Sequence, residues 1–377
     1  MIKRIYSDLE SYFHEKEVLI LYGPRRVGKT TLLENFLERT NLKYRLETGD
    51  NIHIQNLLSS SDLPKIKEYL EGYELFALDE AQVVPGVGKG LKLIIDNIPG
   101  IKVIATGSSS FDLANQVGEP LTGRKTTLTL FPISQLELIK EEKNKFDLKK
   151  KLSDFLVFGS YPQVFLAKSK KEKIRLIQEI VNSYILKDVL ALEKVKAPKT
   201  LFDLLKLLAF QVGNEVSRNE LSSSLGIDGK TVARYLDLLE KSFIIFRVGG
   251  FSRNLRSEVT SKSKYYFFDN GIRNGIISQF NDLESRNDLG QIWENFVMIE
   301  RLKKRTYENI YGQSYFWQTY QQKEIDLVEE REGKLFPFEC KWSTKNKPLP
   351  PKEWLSTYPN SEPFSVINPD NYLDFVA

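Results

Sequence analysis

The sequence predicts an α/β domain with a parallel sheet and helices on both faces, followed by helical segments and an α+β end. In the first third, short apolar runs at Val18–Tyr22, Leu75–Leu78 and Lys102–Ala105 each end at a Gly, Asp or Thr. Stretches of helical period separate these runs, which is typical of buried parallel strands joined by helices. From about Leu130 to Ala197 the pattern is helical, and from about Tyr265 onward strands mix with helix.

The length of 377 residues predicts about two or three domains. A net charge of only +4 means that any surface for nucleic acid must be local. The single cysteine, Cys340, excludes an internal disulfide and a cysteine zinc cluster. The N-terminal segment has acids where a signal peptide is apolar, and no apolar run is long enough to span a bilayer. We therefore expect a cytoplasmic protein that does not engage a membrane.

A winged helix-turn-helix is predicted after Ala197-Pro198, where a different pattern begins. Asp228 is expected to cap its third helix. The strand after that helix is expected to turn at Gly249-Gly250 and form a hairpin. The three helical patterns and the strand lie at Leu201–Phe210, Ser217–Leu225, Asp228–Lys241 and Phe243–Val248.

Basic residues on this segment favour a DNA duplex as partner, with a helix in the major groove and the wing on phosphates. The alternative is that the segment binds a protein, because winged helices also serve as protein-interaction modules. The residues expected to contact DNA are Lys230, Thr231 and Arg234 on the helix and Arg253, Arg256, Lys262 and Lys264 on or after the wing.

A phosphate-binding loop follows the first apolar run and matches G-x-x-x-x-G-K-[ST] in full. Its backbone N–H groups converge on phosphate oxygens at a helix N-terminus. Lys29 is expected to bridge the outer phosphates, and the Thr30 hydroxyl to ligate Mg²⁺. The nucleotide-binding set comprises Gly23, Pro24, Arg25, Arg26, Val27, Gly28, Lys29, Thr30 and Thr31.

Hydrolysis of the bound nucleotide requires further groups, and the second apolar run ends in two acids. We expect Asp79 to hold Mg²⁺ through water and Glu80 to orient and deprotonate the attacking water. Thr106 is the better candidate, with Ser108 close behind, to touch the γ-phosphate, unless this stretch is a plain serine-rich helix start. Arg124 either reaches a phosphate, in cis or across a subunit interface, or is an ordinary surface arginine.

These motifs resemble those of the AAA-type ATPases of archaea and bacteria, which are related to origin-recognition initiators. The resemblance rests on GPRRVGKTT, LDEAQ, TGSS and GR before FPIS, and FGSYP and YYFFDNG extend it to members with a C-terminal domain of unknown function. It covers nearly the whole chain. It implies an AAA-type core at 1–130, a helical lid at 131–197, a winged helix at 198–264 and a restriction-endonuclease-like domain at 265–377.

A second constellation lies near the C-terminus, where two alternating strands flank a turn at Gly333. Cross-strand pairing would bring Asp326 beside Glu339, and Glu339 and Lys341 project from one face. Two carboxylates and a lysine can hold Mg²⁺ and position a water for attack on a phosphodiester. The pattern resembles the core of PD-(D/E)XK nucleases, in which Glu294 matches a preceding helper acid. A surface hairpin whose polar residues face water is the alternative.

The sequence therefore predicts an ATP-driven switch that binds DNA and carries a Mg²⁺-dependent nuclease-like domain. The expected cofactors are ATP and Mg²⁺, and the expected partners are DNA and further copies of the chain. One alternative is a DNA-binding ATPase or loader whose nuclease-like domain does not cut. Another is a signalling ATPase that recruits a protein partner.

Overall fold

The computed structural model describes residues 2–108, 121–142, 144–183, 197–252, 262–319, 321–345 and 348–377. Contacts within the chain divide it into two compact units. The first unit comprises Met1–Pro132 with Lys241–Phe243, and the second comprises Ile133–Glu240 with Ile244–Ala377. Arg253 and Arg256, which the sequence analysis expects on a wing, lie outside the described residues.

The described residues form strands and helices throughout both units. The strands are β1 Val18–Tyr22, β2 Tyr44–Thr48, β3 Leu75–Asp79, β4 Lys102–Gly107, β5 Lys125–Thr129, β6 Glu215–Val216, β7 Ile245–Gly250, β8 Ser263–Phe267, β9 Gln313–Gln318, β10 Glu324–Arg331, β11 Lys334–Cys340 and β12 Ser365–Ile367. The helices of the first unit are α1 Lys29–Leu37, α2 Ile52–Ser59, α3 Leu63–Tyr69 and α4 Val87–Asn97.

The second unit contributes most of the helices. These are α5 Gln135–Leu138, α6 Lys145–Lys150, α7 Leu152–Phe158, α8 Pro162–Leu166, α9 Lys170–Ile180, α10 Pro198–Phe210, α11 Arg218–Leu225, α12 Gly229–Lys241, α13 Asn270–Ile276, α14 Leu289–Tyr307, α15 Lys352–Thr357 and α16 Tyr372–Val376. Among the residues described, no helix combines the length and the apolar character needed to cross a membrane.

The first unit is built on a five-stranded parallel sheet in the order β2-β3-β4-β1-β5. The predicted parallel sheet is confirmed, and the three apolar runs form β1, β3 and β4 at the expected positions. Residues of these strands are almost fully buried and pack with apolar residues of α2 and α4 in one core. Because neighbouring β1 and β4 end together, the loops that follow them meet at one edge of the sheet.

The second unit is built on a seven-stranded sheet in the order β12-β11-β10-β9-β7-β8-β6. The predicted hairpin around Gly333 is confirmed, because β10 pairs antiparallel with β11. β8 pairs antiparallel with both β6 and β7, and β7 continues the sheet to β9. The boundary expected between residues 264 and 265 therefore falls inside β8, and the strands on its two sides share one sheet.

Three helices precede this part of the sheet at the positions expected from their patterns. Ser217 caps α11 in a capping box with Glu220, which satisfies two backbone N–H groups. Asp228 accepts from the N–H groups of Lys230 and Thr231, so its expected capping role is confirmed. The order is therefore α10, β6, α11, α12, then the antiparallel pair β7–β8.

Two segments about 110 residues apart interlock within the second unit. Asp269 accepts a hydrogen bond from the backbone N–H of Ser160 at 2.7 Å and caps α13 through Ile272. Gly159 has φ +73°, and a Cβ there would lie 1.9 Å from a carboxylate oxygen of Asp269. A Cβ at Gly271 would lie 2.0 Å from the carbonyl oxygen of Phe158. The FGSYP and YYFFDNG motifs are thus two halves of one packing contact.

Candidate nucleotide site and acidic cluster

The phosphate-binding loop joins β1 to α1, and its two glycines adopt conformations that suit no other residue. Gly23 has φ +146°, and a Cβ at this position would lie 2.1 Å from the carbonyl oxygen of Leu130. Gly28 has φ +97° and precedes the first residue of α1. Without side chains at these positions, the backbone can curl so that N–H groups point toward one phosphate-sized space.

Lys29 is the buried cation of this loop. Its ammonium donates to the carbonyl oxygens of Gly23 and Pro24, each at 2.8 Å. Burial lowers the pKa of Lys29 to about 8, although the nearby carboxylates of Glu80 and Asp79 oppose this shift. Neutral carbonyls stabilise an ammonium less than anionic oxygens do, so the site favours a phosphate at this position.

Asp79, Glu80, Thr30 and Thr106 are joined by one chain of hydrogen bonds at the ends of β3 and β4. The hydroxyl of Thr30 donates to Asp79 Oδ2 at 2.9 Å, and the hydroxyl of Thr106 donates to Asp79 Oδ1. The Thr106 oxygen also accepts from the backbone N–H of Glu80 at 3.1 Å. Thr106 therefore fixes both acids, and the structure brings four predicted residues together.

Gln82 and Arg4 also support the site, and sequence reasoning missed both. The Gln82 amide donates to a carboxylate oxygen of Glu80, which itself has φ +50°. Arg4 donates to the carbonyl oxygens of Val27 and Phe131, each at 2.6 Å, and so ties the loop to the segment after β5. Gln82 was visible in LDEAQ, whereas Arg4 lies far from the motif and has no local signal.

The other residues of the predicted set have more varied surroundings. Arg124 forms an ion pair with Asp96 of α4, and its side chain is 40% exposed. Arg26 has φ +62°, which bends the loop, and Thr31 is exposed on α1. Ser108 is buried, and its N–H donates to Gln82, whereas the serines that follow it lie outside the described residues.

Thr30 and Asp79 are the residues that would hold Mg²⁺. Their oxygens lie 2.9 Å apart, close enough to serve as neighbouring ligands or to bind through one water. Within the described residues, no group of three His, Cys, Asp or Glu side chains is arranged to hold a metal. Mg²⁺ at nucleotide sites relies on few protein oxygens together with substrate phosphates, and a hydroxyl with one carboxylate meets that need. The residues therefore fit the ion.

The C-terminal constellation forms a buried cluster in the second unit. Asp326 accepts from the N–H of Cys340 at 2.8 Å, and Lys341 forms an ion pair with Glu339 at 2.6 Å. Glu294 accepts from the hydroxyl of Tyr266 at 2.6 Å. Burial, followed by the charge of Asp326, raises the pKa of Glu294 to about 8 and that of Glu339 to about 7.

Lys264 belongs to this cluster, and the expectation that it contacts DNA from the wing is wrong. Its side chain is 3% exposed, and its ammonium lies within 3.7 Å of Glu294, Glu324 and Asp326. Every residue of β8 is buried, so neither face of this strand offers Lys264 to solvent. Lys262, just before the strand, is exposed and forms an ion pair with Glu215.

Comparisons with known proteins divide the chain into three matched regions. Residues 15–139 match a family described as an AAA domain. Residues 149–283 and 289–371 match two families described as domains of unknown function, DUF8612 and DUF4143.

Several relatives are similar to this chain over most of its residues. An uncharacterized protein of Mycobacterium tuberculosis is 26% identical over 88% of this chain and 72% of its own length. One from Methanocaldococcus jannaschii is 25% identical over 88% and 76%, and one from Haemophilus influenzae is 25% identical over 84% and 80%.

A solved structure also resembles the chain, although weakly. It is a signal transduction ATPase with numerous domains (STAND) that carries a tetratricopeptide repeat sensor, from Pyrococcus horikoshii. It shares 15% identity and a TM-score of 0.29 over 77% of this chain, which spans only 43% of that protein.

The matched AAA domain contains the loop, Asp79 and Glu80. Residues 15–139 therefore form an AAA-type P-loop ATPase domain.

Proposed function

We propose that the chain hydrolyses ATP in its first unit and uses the nucleotide cycle as a conformational switch. The observation that carries this proposal is the hydrogen-bonded chain from Thr30 through Asp79 and Thr106 to Glu80. It supports the roles of Asp79 as a metal ligand and of Glu80 as the base, because the two acids are adjacent and Asp79 is hydrogen-bonded to Thr30 of the helix that follows the phosphate-binding loop. Binding alone needs only the loop, whereas this second set of groups is what water attack on a phosphate requires.

Five residues of the nucleotide site have distinct roles in this proposal. Lys29 exchanges its two carbonyl partners for phosphate oxygens, so its positive charge lies next to the phosphate group that is transferred. Thr30 and Asp79 would hold Mg²⁺, which neutralises phosphate charge when it is bound. Glu80 orients the attacking water and takes up its proton. Thr106 keeps Glu80 in place, because its hydroxyl oxygen accepts a hydrogen bond from the backbone N–H of Glu80.

Glu80→Gln tests the proposal because it removes the base and keeps the side-chain shape. Turnover of ATP should fall by a factor on the order of 10²–10⁴ while ATP affinity is retained. Glu74→Gln is the matched control, since Glu74 lies just before the same strand and contacts the N–H of Lys43 instead. Near-normal turnover in Glu80→Gln would move water activation to another residue.

DNA is the second candidate ligand, and it concerns the second unit. The order of α10, β6, α11, α12 and the β7–β8 pair supports a winged helix as the proposal. A surface cavity of about 700 Å³ opens where α11 and α12 begin. It is lined by Arg218, Asn219, Asp228, Gly229, Lys230 and Ala233.

Salt dependence tests DNA contact at this cavity. Replacing Arg218 and Lys230, which line the cavity, together with Arg234 of α12 by alanine should weaken duplex binding and flatten its dependence on salt. Lys206→Ala is a matched control, because Lys206 is exposed on α10 away from the cavity lining. If the wild type shows no salt-sensitive affinity for DNA, the alternative of a signalling ATPase that recruits a protein partner takes precedence.

The C-terminal part supports a restriction-endonuclease-like fold as a further element of the proposal. Its order is α14, β9, β10, β11, α15, β12, with β12 parallel to β11. Asp326, Glu339, Lys341 and Glu294 belong to one buried cluster, which supports this part of the proposal. Between a nuclease-like domain that cleaves DNA and one that does not, we favour the domain that does not cleave, because Lys264 lies among the carboxylates.

A further inference from the structure

The ammonium of Lys264 has an unusual environment. It lies 3.6 Å from Glu294 Oε1, 3.6 Å from Glu324 Oε2 and 3.7 Å from Asp326 Oδ1. These carboxylates come from α14 and from two positions of β10. The ring of Phe316 lies on another side, with its centroid 5.5 Å from the ammonium. Lys264 thus occupies a nearly equidistant position among three acids.

The carboxylates do not fit a divalent cation in this arrangement. Mg²⁺ requires oxygens at about 2.0–2.1 Å and Ca²⁺ at about 2.3–2.6 Å. An ion at the Lys264 ammonium would be more than 3.5 Å from each of the three oxygens. Throughout the described ranges, no three acidic, histidine or cysteine side chains form a metal-binding group. The disagreement between the acidic pattern and the geometry needs a physical explanation.

We propose that Lys264 is the resident cation of this cluster and takes the place that a divalent metal has in a metal-dependent nuclease. The second unit then needs no metal to balance its buried acids. This inference does not depend on ATP hydrolysis, because every residue in it belongs to the second unit.

The remaining contacts of the acids support a closed arrangement. Tyr266 donates to Glu294, the N–H of Cys340 donates to Asp326, and Lys341 pairs with Glu339. Each carboxylate that the sequence assigned to metal chemistry therefore has a partner supplied by the chain. Glu339 Oε2 is buried and has no hydrogen-bond partner among the described residues, so it is available to a new cation if Lys264 is removed.

Mn²⁺ binding by the full chain without nucleotide tests the inference. Asp79→Asn is used as the background, because it removes the carboxylate of the candidate Mg²⁺ site that Asp79 forms with Thr30 in the first unit and leaves the cluster intact. In this background we expect no Mn²⁺ site. Adding Lys264→Met should create a site and make the unfolding temperature rise with millimolar Mn²⁺ by a few degrees, because buried carboxylates lose their cation. Adding Lys262→Met, the matched control, should do neither.

Two results would overturn the inference. The first is a Mn²⁺ site in the Asp79→Asn background that disappears when Asp326→Asn is added, because Asp326 lies 3.7 Å from the Lys264 ammonium and this would show a metal in the cluster while Lys264 is present. The second is a folded Lys264→Met variant that gains neither Mn²⁺ binding nor Mn²⁺-dependent stability. If Lys264→Met does not fold, the first measurement still decides, since it leaves Lys264 in place.

Discussion

Each unit of the chain buries a lysine near carboxylates, but the two lysines have different partners. The ammonium of Lys29 rests on two neutral carbonyls of its loop, and burial lowers its pKa to about 8. Burial also acts to lower the pKa of Lys264, but its carboxylates, Glu294 first, outweigh this and hold the pKa above its ordinary value.

This difference distinguishes a lysine that awaits a ligand from one whose charge is already balanced. Exchanging carbonyls for phosphate oxygens improves the electrostatic environment of Lys29, so ligand binding is favoured there. Lys264 would lose ion pairs in any such exchange. A buried lysine beside acids therefore indicates a functional site only when its own contacts are weaker than those that the ligand offers.

The largest effect on ATP turnover should come from removing one of the two lysines but not the other. Lys29→Ala should reduce ATP turnover by a factor on the order of 10³ and weaken nucleotide binding, since the positive charge that contacts the transferred phosphate is lost. Lys264→Met should leave turnover unchanged. Steady-state ATP hydrolysis of both variants measures this. Equal losses in the two would mean that the comparison describes no functional difference.

The next effect concerns stability. Lys264→Met should lower the free energy of unfolding of the second unit by about 3 kcal/mol, because it leaves buried acids without their cation. Urea unfolding followed by tryptophan fluorescence reports on this unit, where Trp293 and Trp354 are buried. Lys262→Met should change it little, since its ion pair is exposed. A loss as small in Lys264→Met would show that the acids do not need this ammonium.

A smaller effect is expected at Thr106, the positioning residue of the nucleotide site. Thr106→Val keeps the shape but removes the acceptor for the N–H of Glu80 and the donor to Asp79. A loss of about 2 kcal/mol would slow turnover about 30-fold. Thr106→Ser should restore most of the rate, because it keeps the hydroxyl. Failure of this rescue would assign the loss to packing instead.

The smallest effect concerns pH. Phosphate binding favours the charged form of Lys29, whose pKa is about 8. Above that pH the lysine must take up a proton as ATP binds, so affinity should fall as pH rises, by about tenfold between about pH 7 and 9. Titration with ATP at several pH values measures the fall. Lys29→Arg stays charged over this range and should show a flat profile, whereas a parallel fall would point to another group.

Local patterns predicted the parts of the fold that local physics determines. The apolar runs became β1, β3 and β4 because buried parallel strands need apolar side chains on both faces. β2 was missed because it is an edge strand whose residues, such as Tyr44 and Leu46, are largely exposed. The phosphate-binding loop was recognisable because its glycines and lysine lie within eight consecutive positions.

Long-range contacts explain what could not be predicted. The contact of Arg4 with Val27 joins residues 23 positions apart and leaves no pattern in the sequence. Lys264 was placed on the surface because basic residues on a wing usually face solvent. Its burial depends on β8 lying between β6 and β7 and on acids contributed by α14 and β10. Strand alternation alone cannot show that both faces of a strand are covered.

The continuous seven-stranded sheet has a consequence for dividing the chain into fragments. The two matched domains of unknown function meet between residues 283 and 289, after β8 and before β9. A fragment that begins there would expose the edge of β9 that β7 covers, and would leave Glu294 and Asp326 without Lys264. Open edges pair with other chains. Expressed separately, the C-terminal part should therefore aggregate, and the two matched regions should be produced as one piece.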